Sequence, residues 1–402
     1  MILSEDFYLL RTPLLSINTL QQFSGLPHAQ LAEKLKFFFA DPCLQEAIYI
    51  ASPELYLEFQ KWQQGKLQNE KENNKLVLAL FKYLLRMCAR CTPYGLFAGC
   101  AMGEVQETSH VKIGSFKKHK KHCRLDMNYV AELAAMIMEI PEVQKQLLYY
   151  PNNSLYQIGN RYRYAEFAVK NKFRNYYLTE IAFSGYLKKI IALAEEGASL
   201  SALAESIVNI DISKEEAAEF VNELIQNQIL VSGLEPTVTG DEFFKRLVVI
   251  LKSLEHTKDI TEKLTQIQCL LQDQQTGTDK YLRAHAIVKS LLPATNNKDL
   301  VQTDFFLSTE ANSISACVVA EIQQHVEKLW ALAKPNYNPD LENFIKTFLE
   351  RYEDQEVPFT LALDAESGIG YAGYSSGNAG NGVLVNDIFI KKETEIRNIA
   401  WT

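Results

Sequence analysis

From Asn74 to Gly99 the chain has to form a helix and then turn sharply, and no other stretch leaves it so little choice. Apolar residues recur at Leu76, Val77, Leu80, Phe81, Leu84, Met87 and Cys88, the spacing of a helix with one buried face. Lys75, Lys82, Arg86 and Arg90 follow one another at intervals of seven and four residues, which predicts a cationic stripe along another face of that helix. Thr92-Pro93 is expected to stop the helix, because the residue before a proline avoids the helical region. Gly95 and Gly99 then permit tight turns, with Tyr94, Leu96 and Phe97 as core anchors. Two arginines, a hydroxyl and a forced turn suit an anionic ligand. A solvated basic face followed by an ordinary loop is the alternative.

With 402 residues, 47% apolar and 22% charged, the chain reads as a soluble globular protein of several domains. Met1-Ile-Leu-Ser-Glu-Asp lacks the features of a signal peptide, and no apolar run approaches the length of a membrane span, so a cytoplasmic location is expected. Seven cysteines at irregular spacing read as reduced thiols, and the lone Cys88-x-x-Cys91 is a weak metal or redox signal. A net charge of −8 argues against a surface that is basic throughout. Local fields can differ, however. Lys117-Lys118-His119-Lys120-Lys121-His122-Cys123-Arg124 packs five formal positive charges into eight residues. A solvated loop is the common form of such a run. Facing the same way as the arginine helix, it would make one cationic surface able to steer a phosphate-rich partner.

Residues Phe7–Leu10 read as a strand halted at Arg11-Thr12-Pro13, followed by helices over 29–39, 43–49 and 54–63. After Gly99, weak alternation through Val105 and Val111 predicts strands, and Asp126 opens a helix to Met138 either as its cap or as a site residue. The middle third predicts a hairpin over 154–169 turning at Gly159-Asn160, and a third strand over 172–178. Helices over 179–195, 199–208 and 213–226 come next, the last opened by a Ser213/Glu216 capping box, and then a strand over 229–231. These are the ingredients of a winged-helix module. Its last helix, Lys214-Glu215-Glu216-Ala-Ala-Glu219-Phe-Val-Asn-Glu223, is too acidic for a DNA groove, while a sheet edge beside a helix can take an extended peptide as an added strand. Further helices are expected over 244–254, 260–271 and 312–332, with a strand at Leu300–Leu307 that holds Asp304 among apolar neighbours. Gly368-Ile-Gly370-Tyr-Ala-Gly373 spells a dinucleotide-binding pattern but no helix follows, so it is read as a glycine-rich loop. The fold class expected is therefore α+β, a mixed helix and sheet body (1–150 and 238–402) with an inserted winged-helix module (151–237).

Hydrolytic, zinc-protease and Walker motifs are missing. Arginines, a threonine and a few acids remain, a set suited to orienting an anionic or acyl donor for group transfer. Tyr8-Leu-Leu-Arg11-Thr-Pro13, Arg86-Met-Cys-Ala-Arg90-Cys-Thr92-Pro93-Tyr94-Gly95, Arg351 to Pro358, Leu363-Asp364 and Gly368-Ile-Gly370-Tyr371 together resemble the N-terminal region of the class I lantibiotic dehydratases. The resemblance implies transfer of glutamate from glutamyl-tRNA to Ser or Thr of a ribosomally made precursor peptide, followed by elimination in a separate domain. Arg11, Arg86, Arg90 and Thr92 match the family's transfer positions by motif, and Asp126 and Asp304 match them by context. Lys82, Lys117, Lys118, Lys120, Lys121 and Arg124 would then meet the tRNA. Residues 153–235 resemble the leader-peptide recognition element, with Phe173, Tyr176 and Leu178 on its third strand and Phe220 and Leu224 on its last helix lining the groove. Glutamyl-tRNA would be a co-substrate, and neither metal nor cofactor is expected.

Members of the family continue for several hundred residues past the region matched here, through further transfer-site arginines and the elimination domain. The expected partners are therefore the precursor peptide, tRNA, a C-terminal dehydratase half or elimination domain, and a second copy in a homodimer. A peptide-binding scaffold serving a separate catalytic partner is the alternative, and a nucleic-acid regulator is disfavoured by the acidic helix.

Overall fold

A computed structural model describes residues 2–67, 69–170, 173–237, 239–293, 300–333, 337–365 and 367–371. Strand β1 (Phe7–Pro13) precedes helices α1 (Ile17–Gln21), α2 (His28–Phe38), α3 (Pro42–Ala51), α4 (Pro53–Gln63) and α5 (Glu70–Ala89). Strands β2 (Ala98–Gln106), β3 (His110–Ile113) and β4 (Lys120–Leu125) lead to α6 (Met127–Met138) and the short α7 (Pro141–Gln144). There follow β5 (Leu148–Pro151), β6 (Tyr156–Ile158), β7 (Arg161–Lys170), β8 (Phe173–Ala182), α8 (Gly185–Ala194), β9 (Ala198–Ser199), α9 (Leu200–Ile207), α10 (Lys214–Gln226) and β10 (Leu230–Ser232). The described chain closes with α11 (Phe243–Lys252), α12 (Lys258–Gln272), α13 (Asp279–Leu291), β11 (Val301–Phe306), β12 (Thr309–Ser315), α14 (Ala316–Leu332), α15 (Pro339–Tyr352) and α16 (Phe359–Leu363). The fold is mixed helix and sheet. It divides into two compact units, one of Met1–Tyr149, Gly197–Ala202 and Ser232–Ala333, the other of Tyr150–Glu196, Leu203–Val231 and Lys334–Thr402.

The first unit is built on a six-stranded sheet. β1 runs antiparallel along one side of β2, while β11 and β12 succeed each other along its other side and carry β4 and β3 outside them. One face of this sheet is buried, with Thr303, Phe305, Lys121, Cys123 and Leu125 all inside. Gly99 belongs to that face, not to a turn. A β-carbon there would stand 2.8 Å from the Phe305 ring and 2.9 Å from Leu307, so the glycine lets β11 approach. Helix α5 buries Leu76, Val77, Leu80, Leu84, Met87 and Cys88, and its first turn is held by the Asn69 side chain accepting from the Lys71 N–H. Burying such side chains contributes about 1.5–3 kcal/mol for each large one.

The second unit holds a three-stranded sheet ordered β6-β7-β8. Gly159, at φ +52°, closes the β6–β7 hairpin with Asn160, and β7 and β8 pair over ten residues from Arg161↔Ala182 to Lys170↔Phe173. Helix α10 carries the full capping box, in which the Ser213 hydroxyl accepts from the Glu216 N–H and the Glu216 carboxylate accepts from the Ser213 N–H, and it buries Ala217, Val221 and Leu224.

Several boundaries depart from the sequence reading. β1 continues past Leu10 through Arg11 and Thr12 to Pro13, which pairs with Ala98 and ends the strand, as a proline there was expected to do. Residues 179–182 extend β8 instead of opening a helix, because Thr179 and Ile181 still oppose Tyr164 and Tyr162, and α8 waits for its Ser184 cap. Residues 312–315 are strand; Ser315 then caps α14. The basic run is not one solvated loop, since its second half is β4. Helices α13 and α15 were not anticipated, and the glycine-rich stretch beyond Tyr371 lies outside the described residues. Among the described residues no helix is long and apolar enough to cross a membrane.

Candidate functional site

Helix α5 ends at Ala89, and Arg90 is already extended at φ −113°, ψ 118°, so the four cations do not share one helical stripe. Lys75, Lys82 and Arg86 stay on the helix, while Arg90 leaves with the exposed Cys91, Thr92 and Pro93. The half-buried Arg86 lays its guanidinium 4.1 Å above the Tyr94 ring, and its buried Nε has no hydrogen-bond partner among the described residues. Gly95 takes φ +50°, and a β-carbon there would meet Ile50 at 3.0 Å. The turn clamps the end of β1, with Leu14 N–H donating to Phe97 O at 2.8 Å and Leu15 N–H to Met87 O at 2.9 Å. The Arg11-Thr12-Pro13 motif therefore lies directly against the strand leaving the arginine turn, Thr12 opposite Gly99 and Arg11 opposite Cys100. Thr12 Oγ1 is a second buried atom without a partner among the described residues. The sequence reading used Thr12 only as part of a motif; its place between Arg11 and Pro13 was the available signal.

The other face of the six-stranded sheet is open. Register places Arg11 beside Cys100, Cys100 beside Phe306 and Phe306 beside Lys120, a row crossing four strands and about 14 Å. Strand alternation puts Asp304 and Gln302 of β11, with His122 and Arg124 of β4, on the same face. Arg124 donates to Asp304, whose carboxylate is half exposed, and Gln302 donates to Asp126 Oδ2 at 2.6 Å. Asp126 also caps α6, its Oδ1 accepting from the Asn128 N–H at 2.9 Å. The structure thus brings Arg11, Asp304, Arg124 and, through Gln302, Asp126 to one open face bordered by exposed Leu9, Met102 and Phe306. Arg86, Arg90 and Thr92 lie on α5 and the turn after it, whose outgoing strand is the neighbour of β1. Lys117, Lys118 and Lys120 are exposed, and Lys82 is exposed on α5.

Lys121 departs from its neighbours. It is 7% exposed on the opposite face, and its ammonium donates to both Glu46 oxygens, at 2.9 and 3.0 Å, and to Gln275 O. Tyr281 donates to the same carboxylate at 2.8 Å, Gly277 N–H at 3.2 Å, and Lys280 stands 3.5 Å away. Burial drives the Tyr281 hydroxyl far above its ordinary range and holds Lys280 below its own. A lysine committed in this way is not a surface contact, so its place in the cationic surface is withdrawn: strand alternation turns it inward. His119 is likewise no cation in the run, because burial lowers its pKa and its Nδ1 accepts from the Ser308 N–H at 3.0 Å. Beside Arg124, a small cleft of about 120 Å³ is lined by His122, Glu242, Lys245, Gln268 and Gln272. Among the described residues no three His, Cys, Asp or Glu converge to hold a metal ion.

In the second unit, Tyr176 and Leu178 of β8 are 64% and 60% exposed. They share a face with Phe167 and Val169 of β7, and the Tyr176 and Phe167 ring centroids are 6.0 Å apart. The far edge of β7 is closed by side chains. Gln228 accepts from the Phe167 N–H at 3.0 Å and donates to its carbonyl at 2.8 Å, while Ser154 Oγ and Asn152 Nδ2 serve the N–H and carbonyl of Ala165. Since Ala165 and Phe167 turn their polar groups away from β8, ladder alternation turns those of Leu178 and Tyr176 away from β7, toward an edge that no described strand occupies. The Phe173 side chain lies outside the described residues. Leu224 is buried in the core of the unit at 2% exposure, so it supports α10 without lining a groove, and Phe220 is half-buried.

Fold and sequence together define a class. The family described as "Lantibiotic dehydratase, N terminus" matches residues 40–393, and the chain belongs to it. Among its relatives, the epidermin biosynthesis protein EpiB of Staphylococcus epidermidis is 25% identical over 91% of this chain and 37% of its own length. The nisin biosynthesis protein NisB of Lactococcus lactis subsp. lactis is 25% identical over 90% of this chain and 36% of its own. The chain therefore spans little more than a third of the curated relatives it matches. The crystal structure of the tRNA-dependent lantibiotic dehydratase MibB from a Microbispora species shares the fold with TM-score 0.73 at 20% identity, over 92% of this chain and 35% of that one. The glutamylation domain TbtB, from thiomuracin biosynthesis and bound to 5'-phosphodesmethylglutamycin, does so with TM-score 0.58 at 16% identity, over 84% of this chain and 43% of that one.

Proposed function

We propose that this chain contributes the N-terminal part of a glutamyl-transfer site and the leader-recognition element of a peptide dehydratase. The supporting observation is the convergence on one open sheet face of Arg11, Arg124 and Asp304, flanked by the arginine turn, whose Arg86 Nε has no partner among the described residues. In the reaction, a Ser or Thr hydroxyl of the precursor attacks the aminoacyl ester of glutamyl-tRNA. A new ester forms, and the tRNA terminal hydroxyl leaves with the proton. Arg11, Arg86 and Arg90 would hold phosphate and glutamyl carboxylate, and a guanidinium near the carbonyl would stabilise the developing oxyanion. Lys82, Lys117, Lys118, Lys120 and Arg124 would meet the tRNA backbone, with an affinity that falls as salt rises.

The winged-helix-like module of the second unit would take the leader as an added strand on β8. Tyr176 and Leu178 supply both the free backbone groups and the apolar anchors. This edge on its own also fits the scaffold reading, in which the chain binds the precursor and a partner does the chemistry.

Mass spectrometry separates the two. The chain is incubated with glutamyl-tRNA, a precursor peptide and the polypeptide carrying the rest of the dehydratase. A glutamyl adduct that vanishes in Arg90→Ala, with unchanged peptide affinity, is the expected result. Binding without any adduct in the wild type leaves only the scaffold.

A further inference from the structure

Helix α14 runs for 17 residues, and none of them is buried. Only Val319 and Gln323 are even half-covered; Gln323 donates to Ile2 O, and Glu327 accepts from the Ile2 N–H at 3.1 Å. Away from that anchor, Val318, Ile322, Val326, Leu329 and Trp330 follow one another at helical spacing and are all exposed, Ile322 at 53% and Trp330 at 75%. This is the stripe a helix presents to a core. An isolated helix of this length is marginal in water, and most helical stability comes from packing an apolar face. A contiguous row of this kind marks an interaction surface, and an exposed tryptophan in it is the residue type most enriched among interface hot spots. Helix α15 of the second unit repeats the pattern, with no buried residue and Leu341, Ile345 and Leu349 exposed.

The occupant follows from the comparison of lengths. The fold described here accounts for 35% of the MibB chain and little more than a third of EpiB and NisB, so these proteins carry about twice as much polypeptide again beyond the shared part. We infer that the apolar stripe of α14 is the seat of the polypeptide equivalent to that remaining part, whether it is joined to this chain or supplied as a second one. This rests on the dehydratase reading and names the surface through which the shared part meets the rest.

The test is amide hydrogen exchange of α14 in the 402-residue chain, alone and then joined to, or mixed with, the polypeptide from the same genome that matches the remaining two-thirds of the relatives. Exchange along α14 should be fast alone and slowed at least about 100-fold in the assembly, as burial of a helix requires. Ile322→Glu with Trp330→Glu should weaken the assembly at least about 100-fold by calorimetry, the size expected for hot-spot residues, whereas the polar-side variant Gln324→Glu should not. Both positions are exposed, so circular dichroism of the free variant should match the wild type. Unchanged α14 exchange in the assembly overturns the inference. So does undiminished binding by the double variant, protection that comes from a second copy of this chain, or the lack of any such polypeptide in the genome. Glutamyl transfer is not part of the readout, so its failure beside intact binding would count against the transfer reading alone.

Discussion

Lys121 and Arg124 stand three residues apart on β4 and face opposite sides of one sheet. Lys121 is enclosed with Glu46, Tyr281 and Lys280, and every hydrogen of its ammonium has a protein acceptor. Arg124 lies on the open face with a half-exposed Asp304 as its partner. The difference teaches how one basic run serves two purposes. Charges on the buried face fix the positions of α3, β4 and the α12–α13 loop. Those on the open face form a part-exposed pair that contributes little to stability.

The sharpest way to break this comparison is Glu46→Ala, which leaves two buried ammonium groups facing an empty site. It should cost about 3–5 kcal/mol of stability in urea unfolding, since removing one partner strands the other charge. A loss no greater than that of Asp304→Ala, expected at about 0–1 kcal/mol for an exposed pair, would end the distinction.

A smaller effect is expected where a side chain stands in for a strand. Gln274 accepts from the Lys121 N–H and donates to its carbonyl, both at 2.9 Å, which closes the edge of β4 just as Gln228 closes that of β7. Gln228 follows the C-cap of α10 at a φ of +57°, the left-handed position that ends a helix. Gln228→Ala should cost about 1–3 kcal/mol, the range for backbone groups left unpaired, and should expose β7 as a second edge open to added strands. Peptide affinity should change far less in this variant than in Tyr176→Ala with Leu178→Ala.

The last effect is a pH dependence set by buried tyrosines. Burial pushes Tyr49 and Tyr149 up to about 12 from an ordinary 10. Their contribution is fully present below pH 10 and is lost as pH rises toward 12, because the unfolded chain ionises first. Lys280, held below its ordinary value by burial, works in the opposite direction, since the unfolded chain there binds more protons than the folded one. Tyr83, Tyr156, Tyr164 and Tyr281, raised by burial as well, act on the same side, so the urea midpoint should fall as the pH rises above about 10, and less steeply in the Tyr49→Phe, Tyr149→Phe double variant.

Much of the fold was legible where a cap or a period marked it. Ser213 with Glu216, Asp126 before α6 and the apolar rows of α2 to α5 all sit where the sequence placed them. What escaped depends on partners distant in sequence. Thr179–Ala182 remains strand because β7 is there to pair with it, and Ser313 lies in a strand because Glu104 is its neighbour. Candidate site residues follow the same division. Motifs singled out Arg11 and Arg90, but only the register could say that Lys121 points inward, while Leu224 joins Ala217 and Val221 in a core at helical spacing.

The most direct measurement compares glutamyl transfer per folded molecule in Arg124→Ala and Lys121→Met, with the complementary dehydratase polypeptide present. Arg124→Ala should lower transfer at least about tenfold, as loss of one charge-assisted contact implies, while shifting stability by less than about 1 kcal/mol. Lys121→Met should shift stability and leave transfer by the folded fraction unchanged. The reverse pattern, or equal transfer in both, would contradict the assignment of the open face to the ligand.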